Sequence, residues 1–314
     1  MRSAVILGEE ARRHSGDTSG QEGTNVPFVQ SNGIEIHYER FGDPGDPPML
    51  LIMGVGEQLL AWPDGFCELL AGHGFSVIRF DNRDVGLSTW LDELGDVDLT
   101  GLLHGDFSTV RYHLSDMVAD AAGLLAALGI SHAHLVGASM GGGIAQQLAI
   151  DSPELVDSLA SIMSSTSDRS VGKSTLDDPT ALVPSSGDDR ETAIAADVRL
   201  HRLIGGPGIE ADDEELVRRA TAAYDRAYHP AGTLRHIAAN ATAADRTDAL
   251  RGLKLPTVVI HGDSDPLVDV SGGRATAAAV PGAELLVIPG MGHSLPGSAW
   301  NRIADAIAAN AAKA

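Results

Sequence analysis

The sequence predicts an α/β protein: a mostly parallel central sheet with helices packed on both faces. Three observations carry that expectation. Short apolar runs at 49–53, 76–80, 132–136, 256–260 and 283–288 are nearly continuous rather than alternating, the pattern of strands buried on both faces. Stretches of helical spacing separate them, among them the alanine- and leucine-rich 114–128, and parallel neighbours require such crossovers. No internal repeat interrupts the alternation, so nothing points to a repeat architecture.

Taken in order, the opening residues hold an apolar run of only four, Ala4 to Leu7, before polar and acidic residues take over. That is too short for the apolar segment of a secretory signal, and the expectation is a mobile tail over 1–25. Residues 28–30 and 34–41 read as a hairpin turning at Asn32-Gly33, a dipeptide that tolerates positive φ. After the loop GDPGDPP, strand 49–53 is followed by helix 62–71, strand 76–80 and helix 114–128, which stops near Gly129. Segments 132–136, 142–150 and 155–163 continue the alternation. Beyond Met163 the texture becomes polar and rich in proline and glycine, and then three helices are expected at 191–204, 213–228 and 233–244, with no strand. Residues 164–244 therefore read as a helical cap inserted into a core made of 26–163 and 245–314. Strands 256–260 and 283–288 complete the sheet, and 299–309 closes the chain as a helix.

The totals limit the functions available. With 314 residues, 43% of them hydrophobic, the chain can bury a substantial core on its own. Its 22 basic and 43 acidic residues leave a net charge of −21, which repels nucleic acid and anionic membranes. No run approaches the ~18 apolar residues needed to span a bilayer, so a soluble, cytoplasmic protein without nucleic-acid or membrane partners is expected. Cys67 is the only cysteine, which excludes an intrachain disulfide and a cysteine-rich metal site; it reads as core packing.

The densest chemical signal is LVGASMGGG at 135–143. A serine with glycine two places to either side, between an expected strand and an expected helix, is the pattern of a tight turn that holds a hydroxyl above the sheet edge. The bland alternative is a glycine-rich turn that happens to contain Ser139. A serine hydroxyl is a weak nucleophile until a base takes its proton, and the base needs an acid to fix its tautomer. Two later strand ends offer these partners. Strand 256–260 runs into HGDSDP, with Asp263 and Asp265, and strand 283–288 runs into PGMGH, with His293. Among twelve histidines, only His293 follows the terminal strand in a glycine-flanked loop. His132 and His134 have metal-like spacing but no third ligand nearby and read as packing or exposed residues, while His261 reads as support for the acid loop. Charge that develops on a substrate carbonyl needs main-chain N–H donors. Met140, at the helix start, supplies one, and the loop Gly54-Val55-Gly56 supplies the other, by position Val55 with Gly54 as the alternative.

The stretches LLIMGVGEQLLAWPDGF, VIRFDNRDVGLST, HLVGASMGG, PTVVIHGDSDPLV and IPGMGHSLP together resemble the α/β-hydrolase superfamily from about residue 26 onward. Within it the chain is similar to the aclacinomycin methylesterase group and related actinobacterial esterases. The resemblance implies the α/β-hydrolase fold, with Ser139 as nucleophile, Asp265 as acid, His293 as base and the N–H groups of Val55 and Met140 as oxyanion hole. The acid falls third after the glycine of the HGxxD pattern, which selects Asp265 and leaves Asp263 as a turn residue. One position departs: the methylesterase pattern has glycine where Val55 stands, which keeps the N–H but puts a side chain beside the acyl site.

The implied activity is hydrolysis of carboxylic esters, including lactones or polyketide-like esters, through an acyl-enzyme, with no cofactor, no metal and a small-molecule ester as substrate; the oligomeric state stays open. A cofactor-free haloperoxidase or perhydrolase and a carbon–carbon bond hydrolase use the same triad and stay open, as does a non-catalytic binding protein. Epoxide hydrolases and haloalkane dehalogenases need a carboxylate where Ser139 stands. Gly54 and Trp62, both near the oxyanion loop, are candidate pocket residues. The DNRDVGLS segment at 81–88 reads as a buried, ion-paired loop that supports the site.

Overall fold

The computed structural model describes residues 27–184, 189–208 and 212–314. The expected tail over 1–25 lies outside them. Eight strands form one sheet: β1 (Phe28–Ser31), β2 (Ile34–Phe41), β3 (Pro48–Ile52), β4 (Ser76–Phe80), β5 (Ala133–Ala138), β6 (Val156–Ile162), β7 (Thr257–Gly262) and β8 (Glu284–Ile288). Their order is β1-β2-β4-β3-β5-β6-β7-β8. The first two pair antiparallel, and every pairing from β4 to β8 is parallel. The hairpin turns where expected, with Asn32 at φ +48° and Gly33 at +82°.

Connections run through α1 (Asp64–Gly72), α2 (Leu99–Leu103), α3 (Leu114–Ala127) and α4 (Met140–Asp151). Between β6 and β7 the chain leaves the sheet for α5 (Arg190–Ile204), α6 (Asp213–Arg226), α7 (Pro230–Ala241) and α8 (Thr247–Leu250). It ends with α9 (Ser271–Ala279) between the last two strands and α10 (Trp300–Ala311). The described part of this helical excursion contains no strand. Periodicity did not reveal the short helices α2 and α8, nor α9, whose SGGRATAAA has almost no apolar stripe. Its glycines are there for closeness: a Cβ on Gly273 would sit 2.4 Å from His261 Nδ1.

Strand residues in β4, β5 and β7 are buried throughout, which explains their unbroken apolar spelling. The two sheet faces carry separate cores. One packs Leu50, Ile52, Ile78 and Leu135 against α3 and α4; the other packs Met49, Leu51, Val77 and Ile260 against α1 and α10. Burial of each such side chain contributes roughly 1.5–3 kcal/mol. The chain runs outward from β3 to β4 and then crosses back to β5 on the other side. The crevice at the carboxyl ends of β3 and β5 is thus the place where an open α/β sheet takes its ligand.

Candidate active site

Ser139 sits at that crevice, between β5 and α4, with φ +55° and ψ −124°. A non-glycine residue held in this region is strained, and the surroundings must over-determine it. They do so with glycine. A Cβ on Gly137 would lie 2.2 Å from Gly141 O, and one on Gly141 only 2.1 Å from Ile52 O. The Ser139 N–H is fixed by Ile162 O at 2.9 Å. Clearance for this turn, rather than flexibility, accounts for the run of small residues.

Two residues past β3, Gly54 lies against the serine: a Cβ there would meet Ser139 Cβ at 2.9 Å and Oγ at 3.3 Å. Among the described residues, the N–H groups of Val55 and Met140 have no main-chain acceptor. Gly56 N–H differs, because it donates to His236 Nδ1 at 3.1 Å. The opposite ring nitrogen of His236 lies 2.7 Å from Arg83 O. Burial pushes His236 down to about 4, against the smaller pull of that carbonyl, so the ring is neutral and can accept from Gly56.

Three residues past β7, Asp265 is buried and points at the histidine loop, with Oδ2 2.8 Å from His293 Nδ1. Its other oxygen accepts from Leu267 N–H and Val268 N–H, both at 2.9 Å. Burial alone would raise its pKa. The His293 charge, hydrogen bonds from His261 and His293, and the Val268 N–H outweigh burial and hold it well below the usual carboxylate range. His261 supports the acid loop as expected, with Nε2 2.8 Å from Val268 O and 3.4 Å from Asp265 Oδ2. Asp263 ties two loops together, accepting from Gly290 N–H at 2.7 Å.

Ser139, Val55, Gly54 and the His293 ring line one cavity of about 620 Å³. No hydrogen bond joins Ser139 Oγ to the ring; both residues line the cavity, and catalytic hydrogen bonds commonly tighten only when substrate binds. The far wall comes from α5, α6 and α7, with Leu200, Leu216, Ala220 and Ile237. Trp62 is not part of it. Fully buried and stacked on Phe66 at 5.9 Å, its ring follows α1 into the core on the α10 side, where its large apolar surface is covered. The sequence placed it near the oxyanion loop but could not say to which side the ring turns.

Sequence reasoning also missed a charged group in this cavity. His201 of α5 lies between two carboxylates, with Nε2 3.3 Å from Glu57 Oε1 and Nδ1 3.5 Å from Asp197 Oδ1. Burial opposes its protonation, but Asp197 and Glu57 raise its pKa well above the ordinary value. Ligand atoms of the three lie within 4.8 Å of one another. The ring offers a different nitrogen to each carboxylate, a geometry suited to a bridging imidazolium rather than to one ion. His132 and His134 bond instead to Asp157 and Ser158.

The DNRDVGLS loop is a buried support, and it also grips the excursion. Asp81 accepts from Arg226 at 2.7 Å, and Asp84 accepts from Nε and Nη2 along one edge of the Arg235 guanidinium, both at 2.8 Å. Gln58, beside the oxyanion loop, donates to Ala223 O and Ala227 O at the end of α6.

Fold and site together define the class: a family model of the alpha/beta hydrolase fold matches residues 47–297, and the chain belongs to that family. Rhodomycin D methylesterase DauP of Streptomyces sp. (strain C5) is 29% identical over 303 residues, 90% of this chain and 97% of that protein. A candidate non-heme bromoperoxidase, BpoC of Mycobacterium tuberculosis, is 28% identical over 83% of this chain and 91% of its own length. Among solved structures, the meta-cleavage product hydrolase CumD of Pseudomonas fluorescens matches at TM-score 0.68, covering 91% of this chain and 97% of its own, with 19% identity. That last likeness is one of fold.

Proposed function

We propose that the protein hydrolyses carboxylic esters through an acyl-enzyme, with Ser139 as nucleophile, His293 as general base and Asp265 as the acid that orients it. The observation that carries this reading is the strained Ser139 opening into the same cavity as the His293–Asp265 pair. Asp265 holds Nδ1 of the ring, which leaves Nε2 to take the Ser139 proton as Oγ attacks the ester carbonyl. Negative charge on the carbonyl oxygen falls to the Val55 and Met140 N–H groups; Gly56 is excluded because His236 already uses its N–H. Loss of one such donor costs about 3 kcal/mol of barrier. The imidazolium then protonates the departing alkoxide, and water activated by the same ring releases the acid and regenerates Ser139.

The excursion acts as the cap over the acyl site, keeping water out and shaping the pocket. A cavity of about 620 Å³ with a largely aliphatic far wall suits a moderately large ester, in keeping with the methylesterase likeness over nearly the whole chain. Haloperoxidase and carbon–carbon hydrolase chemistry would use the same three residues, and the bromoperoxidase likeness is the reason to assay them alongside.

The test is hydrolysis of p-nitrophenyl esters of graded chain length by wild type, Ser139→Ala and His293→Ala, with intact-mass detection of a serine-bound phosphonate. Both substitutions are expected to lower kcat by at least ~10³-fold without unfolding the protein. Hydrolysis that survives Ser139→Ala would reject the mechanism.

A further inference from the structure

The catalytic histidine loop is held from outside the sheet. His293 N–H donates to Ile204 O at 2.6 Å and Gly292 N–H to Gly205 O at 2.9 Å, while Gly208 N–H returns a bond to Gly290 O at 3.0 Å. Ile204 is the last residue of α5. Terminal carbonyls of a helix have no partner within it, and here main-chain donors of the histidine loop satisfy them. No side chain fits between the two segments. A Cβ on Gly206 would lie 2.4 Å from Gly292 N, on Gly208 2.3 Å from Gly290 Cα, and on Gly292 2.1 Å from Ile204 O. Gly206 and Gly290 are also held at positive φ, +89° and +74°. Two glycine-rich segments about eighty residues apart in sequence thus interlock by backbone alone.

On the reading that His293 is the base, we propose that the end of α5, residues 204–208, is a positioning element for that histidine: its carbonyls and its lack of side chains set where the imidazole stands over Ser139. Asp265 fixes the ring and its tautomer; the α5 end fixes the main chain from which the ring hangs. A displacement of the order of 1 Å at a reacting group can cost about a hundredfold in rate. The excursion is therefore part of the machinery on this side, and the cap cannot lift off α5-first without taking the base along.

The test compares Gly206→Ala and Gly208→Ala with Gly282→Ala. Gly282 shares the positive φ of Gly206, at +77°, but has open space around it and touches neither loop. Gly208→Ala meets Gly290 without the left-handed penalty, so it serves if Gly206→Ala folds poorly. Rates are taken per folded molecule, counted by circular dichroism and by thermal melting. The expected result is a fall of about 10- to 100-fold in kcat and in the rate of phosphonate labelling of Ser139 for the two interlock variants, with KM within about twofold and Gly282→Ala like wild type. The proposal is overturned if the interlock variants match Gly282→Ala, or if KM rises while kcat holds, since the contact would then shape only the pocket. Parallel Ser139→Ala and His293→Ala measurements separate the two readings. If both remain active, the triad assignment fails; if both are dead while the interlock variants are normal, only the positioning role fails.

Discussion

The excursion between β6 and β7 is fastened to the core in two different ways. On the α6–α7 side the fasteners are charged side chains: Arg226 on Asp81, and Arg235 on Asp84, the latter pair with side chains 2% and 0% exposed. On the α5 side His201 meets Glu57 within the helix's length, but at the helix end the fasteners are peptide groups and absent side chains, from Ile204–Gly208 onto Gly290–His293. Buried ion pairs tie stability to charge, and breaking one by removing a partner leaves an uncompensated charge behind. A main-chain interlock ties geometry to backbone, and what it secures is the main chain that carries the His293 ring, the proposed base. The charged side should govern whether the protein stays folded, and the glycine side how well it turns over.

The largest stability effect should come from Asp84→Ala, which leaves the buried Arg235 guanidinium with only the exposed Asp92 carboxylate as counter-charge. A loss on the order of 3–5 kcal/mol is expected, read as a lower urea midpoint, with turnover per folded molecule changed only a few-fold. A collapse of kcat at unchanged stability would break the contrast.

Acidification should act on the same side. The unfolded chain protonates His236 near the ordinary value of 6.5, the folded protein only near 4. The stabilising contribution of the neutral ring is therefore whole above about 6.5 and drains away as pH falls toward about 4. Its full size is on the order of 3 kcal/mol. Denaturant titrations between these limits should show a fall that His236→Gln removes; equal slopes in both proteins would remove His236 from the account. Asp265, also held low, contributes with the same sign in a more acidic range, losing its stabilisation only when the solution is acidic enough to protonate it in the folded state.

A smaller effect is expected from Asp263→Ala, which leaves Gly290 N–H without its 2.7 Å acceptor at a cost of about 1 kcal/mol. Because this bond steadies the histidine loop, kcat should fall by a few-fold more than that of a matched surface substitution such as Asp248→Ala. Identical rates would show that the α5 contact suffices by itself.

The sheet was legible because its strands are short, local and buried on both faces, so each writes its own apolar run. Ser139, Asp265 and His293, the proposed triad, stand out in the sequence for a similar reason: each sits in a turn whose glycines or flanking strand are contiguous in sequence. What stayed hidden depends on distant partners. Arg226 and Arg235 lie 145 and 151 residues from the aspartates they pair with, and nothing beside them announces those partners. The GGPG at 205–208 reads as an ordinary helix stop until the second glycine loop is seen against it. Trp62 failed for another reason, since proximity along the chain fixed its neighbourhood but not the direction of its ring.

Neighbouring strands β6 and β7, paired from Leu159 to Ile162, mark the exit and return of the whole excursion. An evolving or engineered chain could exchange that excursion for another without redrawing the sheet, because the two splice points already lie side by side. The graft would not be neutral, however: a donor lacking a small-residue helix stop at the right spot would deliver a new pocket and lose the alignment of the imidazole below it. On the proposed roles of the excursion and of His293, substrate range and catalytic competence are inherited together, carried by one transplantable stretch of chain.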